Sequence, residues 1–314
     1  MTTRFITKRQ SLKVKPSNPK RMRRLWPYYL MMLPAILLIA VYRYIPMGGL
    51  AMVFKDYRIT RSLFNCDWVG LKNFQMVFSK YTFSLAFYNT IIISFYKLIF
   101  VFPTPILLAL MLNELHGVRM KRVLQTCYYL PHFISWVVIS SLVFTFFAPE
   151  SGAITVWFRN VLGININVLT DAKVFRGTLV VTDIWKEIGW GSIIYLATIT
   201  SIDPQLYEAA RVDGAKKLQQ IWYVTLPGIL PTIITMLLLR VGHILDAGFE
   251  QVLVMQNTLV WDVSEILETY SYSLAFLNGK HAQAAVVGCV KSVIGLIMVL
   301  ITNRIAKHYD QEVL

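Results

Sequence analysis

The chain has only three cysteines in 314 residues, Cys66, Cys127 and Cys289, too few and too widely spaced for a disulfide framework, a metal site or a redox motif. Charge is scarce as well: Asp, Glu, Lys and Arg make up 15% of the chain, against 56% for hydrophobic residues. An ordinary soluble domain carries about 25% charged residues, so this composition excludes a water-soluble protein and points to a lipid bilayer. Acids are the scarcer sign, 17 against 31 bases, which gives a formal net charge of +14. That excess is not a nucleic-acid footprint, because nine of the Lys and Arg residues lie in the first 25 positions and others flank apolar runs. No Gly-x-x-x-x-Gly-Lys-Ser/Thr loop occurs, so the chain lacks that means of holding ATP. His116 and His132 have no partner at ligand or triad spacing and read as packing or surface residues. With no nucleophile and base or metal signature, an intramembrane enzyme is not indicated.

What the sequence has is apolar length. Six runs reach the roughly 20 residues that a helical span needs: 26–45, 85–112, 123–147, 178–200, 228–247 and 284–302. They predict an all-α polytopic membrane protein with six transmembrane helices. A basic segment, 1–25, precedes a six-span domain, 26–308, and a short tail, 309–314. The first run is long for a signal sequence, has no small-residue cleavage site and carries Trp26, Tyr28, Tyr29, Tyr42 and Tyr44 as an aromatic belt, so it reads as an uncleaved span. Placing the N-terminus inside gives internal segments 17 Lys and Arg against nine outside. Lys97 and the pair Pro103 and Pro105 predict a bent second span, and segments 48–83 and 148–177 read as external loops with short helices, one near 68–78.

The most informative stretch is polar and lies between two apolar runs: DPQLYEAARVDGAKKLQQIWYVTLPGILP, 203–231. Asp203 can cap a helix whose first residue is Pro204. Gly214 can end or turn that helix, and 216–224 reads as a second short helix leading to Leu226 and Pro227. Glu208, Ala209 and Ala210, then three residues, Gly214, nine residues, and Val224, Thr225, Leu226 and Pro227 resemble the EAA loop of ATP-binding-cassette importer permeases; only Val224 departs from the pattern, conservatively. The resemblance implies a cytoplasmic coupling helix that docks on an ATPase subunit, with Glu208, Ala209, Ala210, Arg211, Asp213, Gly214, Leu226 and Pro227 as the coupling residues. Small alanines leave a shallow surface, glycine permits the turn, and Glu208 and Arg211 offer ionic contacts.

Ionisable residues inside spans are costly and are expected to face protein or a cavity. In the fourth run Asp183, Lys186, Glu187 and Trp190 share one helical face, and in the fifth Arg240, His243, Asp246 and Glu250 do the same. YYLPHFISWVV, DIWKEIGWGSIIYLA and LRVGHILDAGFEQ extend the resemblance to the polysaccharide and oligosaccharide branch, including lipoprotein-associated and alginate-type permeases. That resemblance implies a substrate cavity formed by Lys186, Glu187, Trp190, Arg240, His243 and Asp246. The other reading makes Lys186 or Arg240 a structural ion-pair partner of Glu187, Asp246 or Glu250. It further implies a carbohydrate importer working by alternating access in a bacterial cytoplasmic membrane. Its partners would be a second, nonidentical permease, two cytoplasmic ATPase subunits that hold ATP and Mg, and an external solute-binding protein; the sequence leaves homodimerisation open. An acidic or highly hydroxylated oligosaccharide is expected, with no nucleic acid, no metal and no cofactor bound by this chain. The competing class is an ion-coupled secondary transporter, whose inverted repeats the sequence does not display.

Overall fold

The computed structural model describes residues 19–163 and 167–308, so the basic segment expected over 1–25 is described only from residue 19 and the tail 309–314 lies outside the described residues. Among the described residues the chain is helical, and the only β pairing is an isolated bridge between Lys55 and Trp68. It divides into two compact units, 1–51 and 52–314. In the first, the Pro19–Ile39 helix continues through a five-residue π turn, Ala40–Tyr44, and exposes Trp26, Leu30, Met31, Tyr42 and Tyr44. Such an all-round apolar surface suits a helix whose solvent is lipid.

Four helical stretches are long and apolar enough to cross a membrane: Leu25–Phe54, Tyr81–Glu114, Lys217–Gly242 and His281–Arg304. The other two expected runs behave differently, each for a local reason. The third is not one straight span: Val118–Phe133 and Trp136–Phe147 meet at 100°. Pro131 lies in the short turn Leu130–Phe133, and Ser135 starts the second helix by accepting a hydrogen bond from the Val138 amide at 3.4 Å. The fourth is one helix of 29 residues, Ala172–Thr200, long enough to cross but interrupted by Lys173, Arg176, Asp183, Lys186 and Glu187. It begins six residues before the apolar run, because Asp171 caps it by accepting from the Lys173 amide at 2.9 Å.

In the second span the regular helix is interrupted beside its prolines: a π turn, Lys97–Val101, precedes Pro103, and an α-helix resumes over Thr104–Glu114. The fifth ends sooner than expected, at Gly242 rather than 247. His243 leaves helical geometry (φ −106°, ψ 28°), and Gly248 sits at φ +96° before a new helix, Phe249–Met255. The short helix expected at 68–78 is Lys72–Phe78.

The Ala172–Thr200 helix is the centre of the larger unit. Its lower half packs Tyr195, Leu196 and Ile199 against Ile106, Ala109 and Leu112 of Thr104–Glu114 and against Ile229. Its upper half packs Phe175 and Leu179 against Val252, Met255 and Ile266. Lipid removes the hydrophobic drive between such helices, so close packing has to hold them. A Cβ on Gly189 would fall 2.0 Å from the Tyr128 carbonyl oxygen, and one on Gly191 would fall 2.8 Å from Pro105. These two glycines let the bent third segment and the second span approach the central helix.

Candidate functional site

The bend in the third segment exposes carbonyl groups that the helix would otherwise satisfy. Lys186, 7% exposed, reaches across from the central helix and donates to the His132 and Ile134 carbonyls, both at 2.6 Å, with its ammonium 5.6 Å from the Trp136 ring centroid. The same bend sets His132 face to face with Trp190, centroids 4.4 Å apart and planes within 2°, and brings its Nδ1 to 2.9 Å from Glu187 Oε2. Phe133 meets the Trp190 ring edge-on at 5.8 Å. His132 is thus a buttress for two of the predicted residues, a role no local spacing reveals.

Beside this stands a cavity of about 640 Å³, within the size range of small-ligand sites. Glu187, Trp190, Arg240, His243 and Asp246 line it, together with Lys97 and Asp183. Lys186 does not line it; its charge is directed into the protein at the bend. Glu250 also falls outside, because the helical spacing that aligned it with Arg240 stops at Gly242.

Most charges of the wall are already matched. Lys97 Nζ lies 3.0 Å from Asp183 Oδ2 and donates to Gln251 Oε1 at 2.6 Å. Gln251 in turn donates to the Leu179 carbonyl and to Thr182 at 2.7 and 2.8 Å. This chain of contacts joins the second span, the central helix and Phe249–Met255, and Gly248 sits against it at φ +96°, where a side chain would be strained and its Cβ would lie 2.6 Å from Lys97 Nζ. Asp246 receives His243 Nδ1 at 3.2 Å and pairs with Lys291, which also holds Glu268 at 2.5 Å. Arg240 is different. Among the described residues it has neither an ion-pair nor a hydrogen-bond partner, and none of Glu187, Asp246 and Glu250 pairs with it or with Lys186. The cavity therefore offers one uncommitted guanidinium, an aromatic ring and several paired carboxylates, a set suited to hydroxyls and to an anion.

At one end of the larger unit lies the 203–227 loop. Asp203 accepts from the Gln205 amide at 2.9 Å and starts the Pro204–Val212 helix. Gly214, at φ +79°, ends it in a complete left-handed cap: its amide donates to the Arg211 carbonyl at 3.0 Å and that of Ala215 to Ala210 at 2.9 Å. Lys217–Gln220 then leads through a π turn, Ile221–Thr225, straight into the next span, with Pro227 in the first helical turn, where its missing amide costs nothing. Glu208, Ala209, Arg211 and Asp213 are exposed, as are Leu206, Val212 and Leu218. Lys217 ties this pair to the end of the second span by donating to Glu114 at 2.9 Å.

A family model described as "Binding-protein-dependent transport system inner membrane component" matches residues 102–313, which contain this loop and all of the cavity wall except Lys97 and Val101. The chain belongs to that family. It is therefore a membrane permease subunit, not an enzyme, and ATP hydrolysis in such importers belongs to separate subunits. Membership in this family does not favour an ion-coupled secondary transporter. Among curated relatives, the Bacillus subtilis protein LplB is 40% identical over 90% of this chain and 89% of its own length. The polygalacturonan/rhamnogalacturonan transport system permease YteP from the same organism is 41% identical over 90% and 88%. A solved bacterial ABC transporter involved in import of the acidic polysaccharide alginate matches with a TM-score of 0.86 and 38% identity, covering 92% of this chain and 98% of that one. The alginate transporter has also been solved with an alginate pentasaccharide-bound periplasmic protein, and there the TM-score is 0.86 at 37% identity.

Proposed function

We propose that this permease forms half of the pathway through which an ATP-driven importer carries an acidic oligosaccharide into the cell. The observation that carries the substrate class is Arg240, a cation in the cavity wall with no acid of its own. A sugar carboxylate would meet that guanidinium, Trp190 would supply an apolar face for a pyranose, and Glu187 and His243 would take hydroxyls. The names of the relatives that handle polygalacturonan, rhamnogalacturonan and alginate support the same class.

In this reading the chain crosses the membrane six times, counting the bent third segment and the polar Ala172–Thr200 helix as spans. The N-terminus and the 203–227 loop face the cytoplasm, in keeping with the count of Lys and Arg residues. The loop is the coupling helix: its exposed Leu206, Val212 and Leu218 enter a cleft on an ATPase subunit, with Glu208 and Arg211 at the rim. ATP and Mg are held by two such subunits. A second permease completes the cavity, and an external binding protein delivers substrate. ATPase closure moves the loop, and the Lys217 to Glu114 tie passes that movement to the second span, whose middle lines the cavity with Lys97, Val101, Phe102 and Pro105.

The test is uptake by the assembled transporter in proteoliposomes, with a galacturonate trimer and a neutral galactose trimer as substrates. Uptake of the galacturonate trimer that requires ATP is the expected result. Uptake that follows an ion gradient without ATP, or equal uptake of both trimers, would overturn this reading.

A further inference from the structure

A second cavity, of about 410 Å³, lies at the end of the larger unit remote from the 203–227 loop. Its position follows from the second span, which runs from Tyr81, next to Lys80 in this cavity's wall, to Glu114, which pairs with Lys217 beside the loop. Thr82 of that span also lines it, and the rest of the wall comes from Leu253 in Phe249–Met255 and from the segment between that helix and the last one.

Three features of this wall ask for a ligand. The first is unmet hydrogen bonding: Tyr270 is 5% exposed, yet its hydroxyl has no partner, and the Gln256 Oε1 atom is likewise buried without one. Buried polar groups are ordinarily satisfied, by protein, water or a bound molecule. The second is charge. Lys80 and Lys280 approach closely enough that burial, and then the Lys280 charge, hold the Lys80 ammonium below its usual range. Lys80 donates only to the neutral Gln283, at 3.0 Å, and Lys280 has no side-chain partner among the described residues. The one acid in the wall, Glu265, forms no ion pair with either lysine, and burial raises it to about 7. Third, Trp261 and Tyr272 contribute aromatic surface to the same wall.

We propose that this cavity is a saccharide subsite for one carboxylated pyranose residue, its carboxylate set between Lys80 and Lys280 and its hydroxyls against Tyr270 and Gln256. The proposal rests on the acidic-oligosaccharide reading given above and adds a site distinct from the central cavity. In the proposed orientation it faces the side from which substrate arrives. A chain long enough to span several residues would be held there by one sugar while another enters the central cavity.

The full-length chain in nanodiscs of zwitterionic lipid, titrated with the galacturonate trimer by calorimetry, tests this. The Arg240→Ala variant serves as background to weaken the central site. Saturable binding is expected to remain in that background. It should weaken at least tenfold with Lys280→Gln, an exposed position, and with Tyr270→Phe, which keeps the buried ring. Neutral galactose trimer should bind at least tenfold more weakly than galacturonate. Absence of saturable binding in the Arg240→Ala background would overturn the subsite, as would galacturonate affinity unchanged by both substitutions. Full displacement of the trimer by an equal concentration of inorganic phosphate would reduce the cavity to a plain anion site and would also overturn it. Any of these results alongside normal ATP-dependent uptake by the unmodified assembly would remove the subsite and leave the importer reading standing.

Discussion

Replacing Lys186 with methionine removes a charge and two hydrogen bonds while keeping most of the side-chain volume, so the effect isolates polarity from packing. The ammonium donates to the carbonyls of His132 and Ile134 at 2.6 Å each, in a site 7% exposed. Each carbonyl left without a donor costs about 1–3 kcal/mol, and the lost cation–π contact with Trp136 adds about 0.5–1 kcal/mol. Hydrogen bonds within membranes sit toward the lower end of such ranges, so a loss of about 3 kcal/mol is expected. That loss should appear as a lower denaturation midpoint of the purified permease and reduced assembled transporter in membranes. Lys186→Arg should recover part of it. Because Lys186 lies behind the cavity wall, the Met variant that does assemble should keep its preference for acidic over neutral substrate. A Met variant of unchanged stability that has lost this preference would refute the structural role and return Lys186 to the substrate site.

Other positions give sharp expectations. Gly189→Ala sets a Cβ 2.0 Å from the Tyr128 carbonyl oxygen, a backbone atom that cannot swing aside; overpacking of about 1–3 kcal/mol should lower the yield of folded protein, read by size-exclusion chromatography in detergent. A Cβ on Gly214 meets no atom within 4 Å, so the cost of Gly214→Val is mainly conformational, about 1–2 kcal/mol for a residue forced to φ +79°; membrane insertion should persist while substrate-stimulated ATPase activity falls, and undiminished uptake would remove the coupling assignment. For Glu265, burial raises the carboxyl from 4.5 to about 7. A raised folded value means that the folded state holds the proton more tightly, so stability is full below pH 4.5 and is lost as pH rises through about 7. Glu265→Gln should therefore denature later than the unmodified protein at pH 8 and show little difference at pH 5.

The short-range signals carried far in this chain. Asp203, Pro204 and Gly214 specify the turn-linked helices through local chemistry alone, and the structure has the cap and the positive φ at those positions. Spacing along the fourth run placed Glu187 and Trp190 on a common face, and both line the cavity. Periodicity could not separate Lys186 from them, because its direction depends on a bend about 50 residues earlier in the chain that presents two carbonyls to it. The fifth run misled at its end for a related reason: 243–247 keeps the helical spacing that aligned His243 and Asp246 with Arg240, but the chain leaves the helix there and the loop around Gly248 fits closely over Lys97. Gln251, Lys291 and His132 complete the polar pairs from distant segments, and nothing local marks them as partners.

Arg240 is proposed as the free cation of the cavity that receives an acidic sugar. Removing it leaves no acid unpaired among the described residues, so Arg240→Gln should assemble normally, in contrast to the loss expected when a buried ion pair is broken. The decisive measurement is the ratio of ATP-dependent uptake of galacturonate trimer to that of galactose trimer in proteoliposomes containing the assembled transporter. Arg240→Gln is expected to lower this ratio at least tenfold, about 1.4 kcal/mol of discrimination, and Arg240→Lys to keep part of it. An unchanged ratio in a fully assembled Arg240→Gln transporter would mean that Arg240 does not receive the sugar carboxylate.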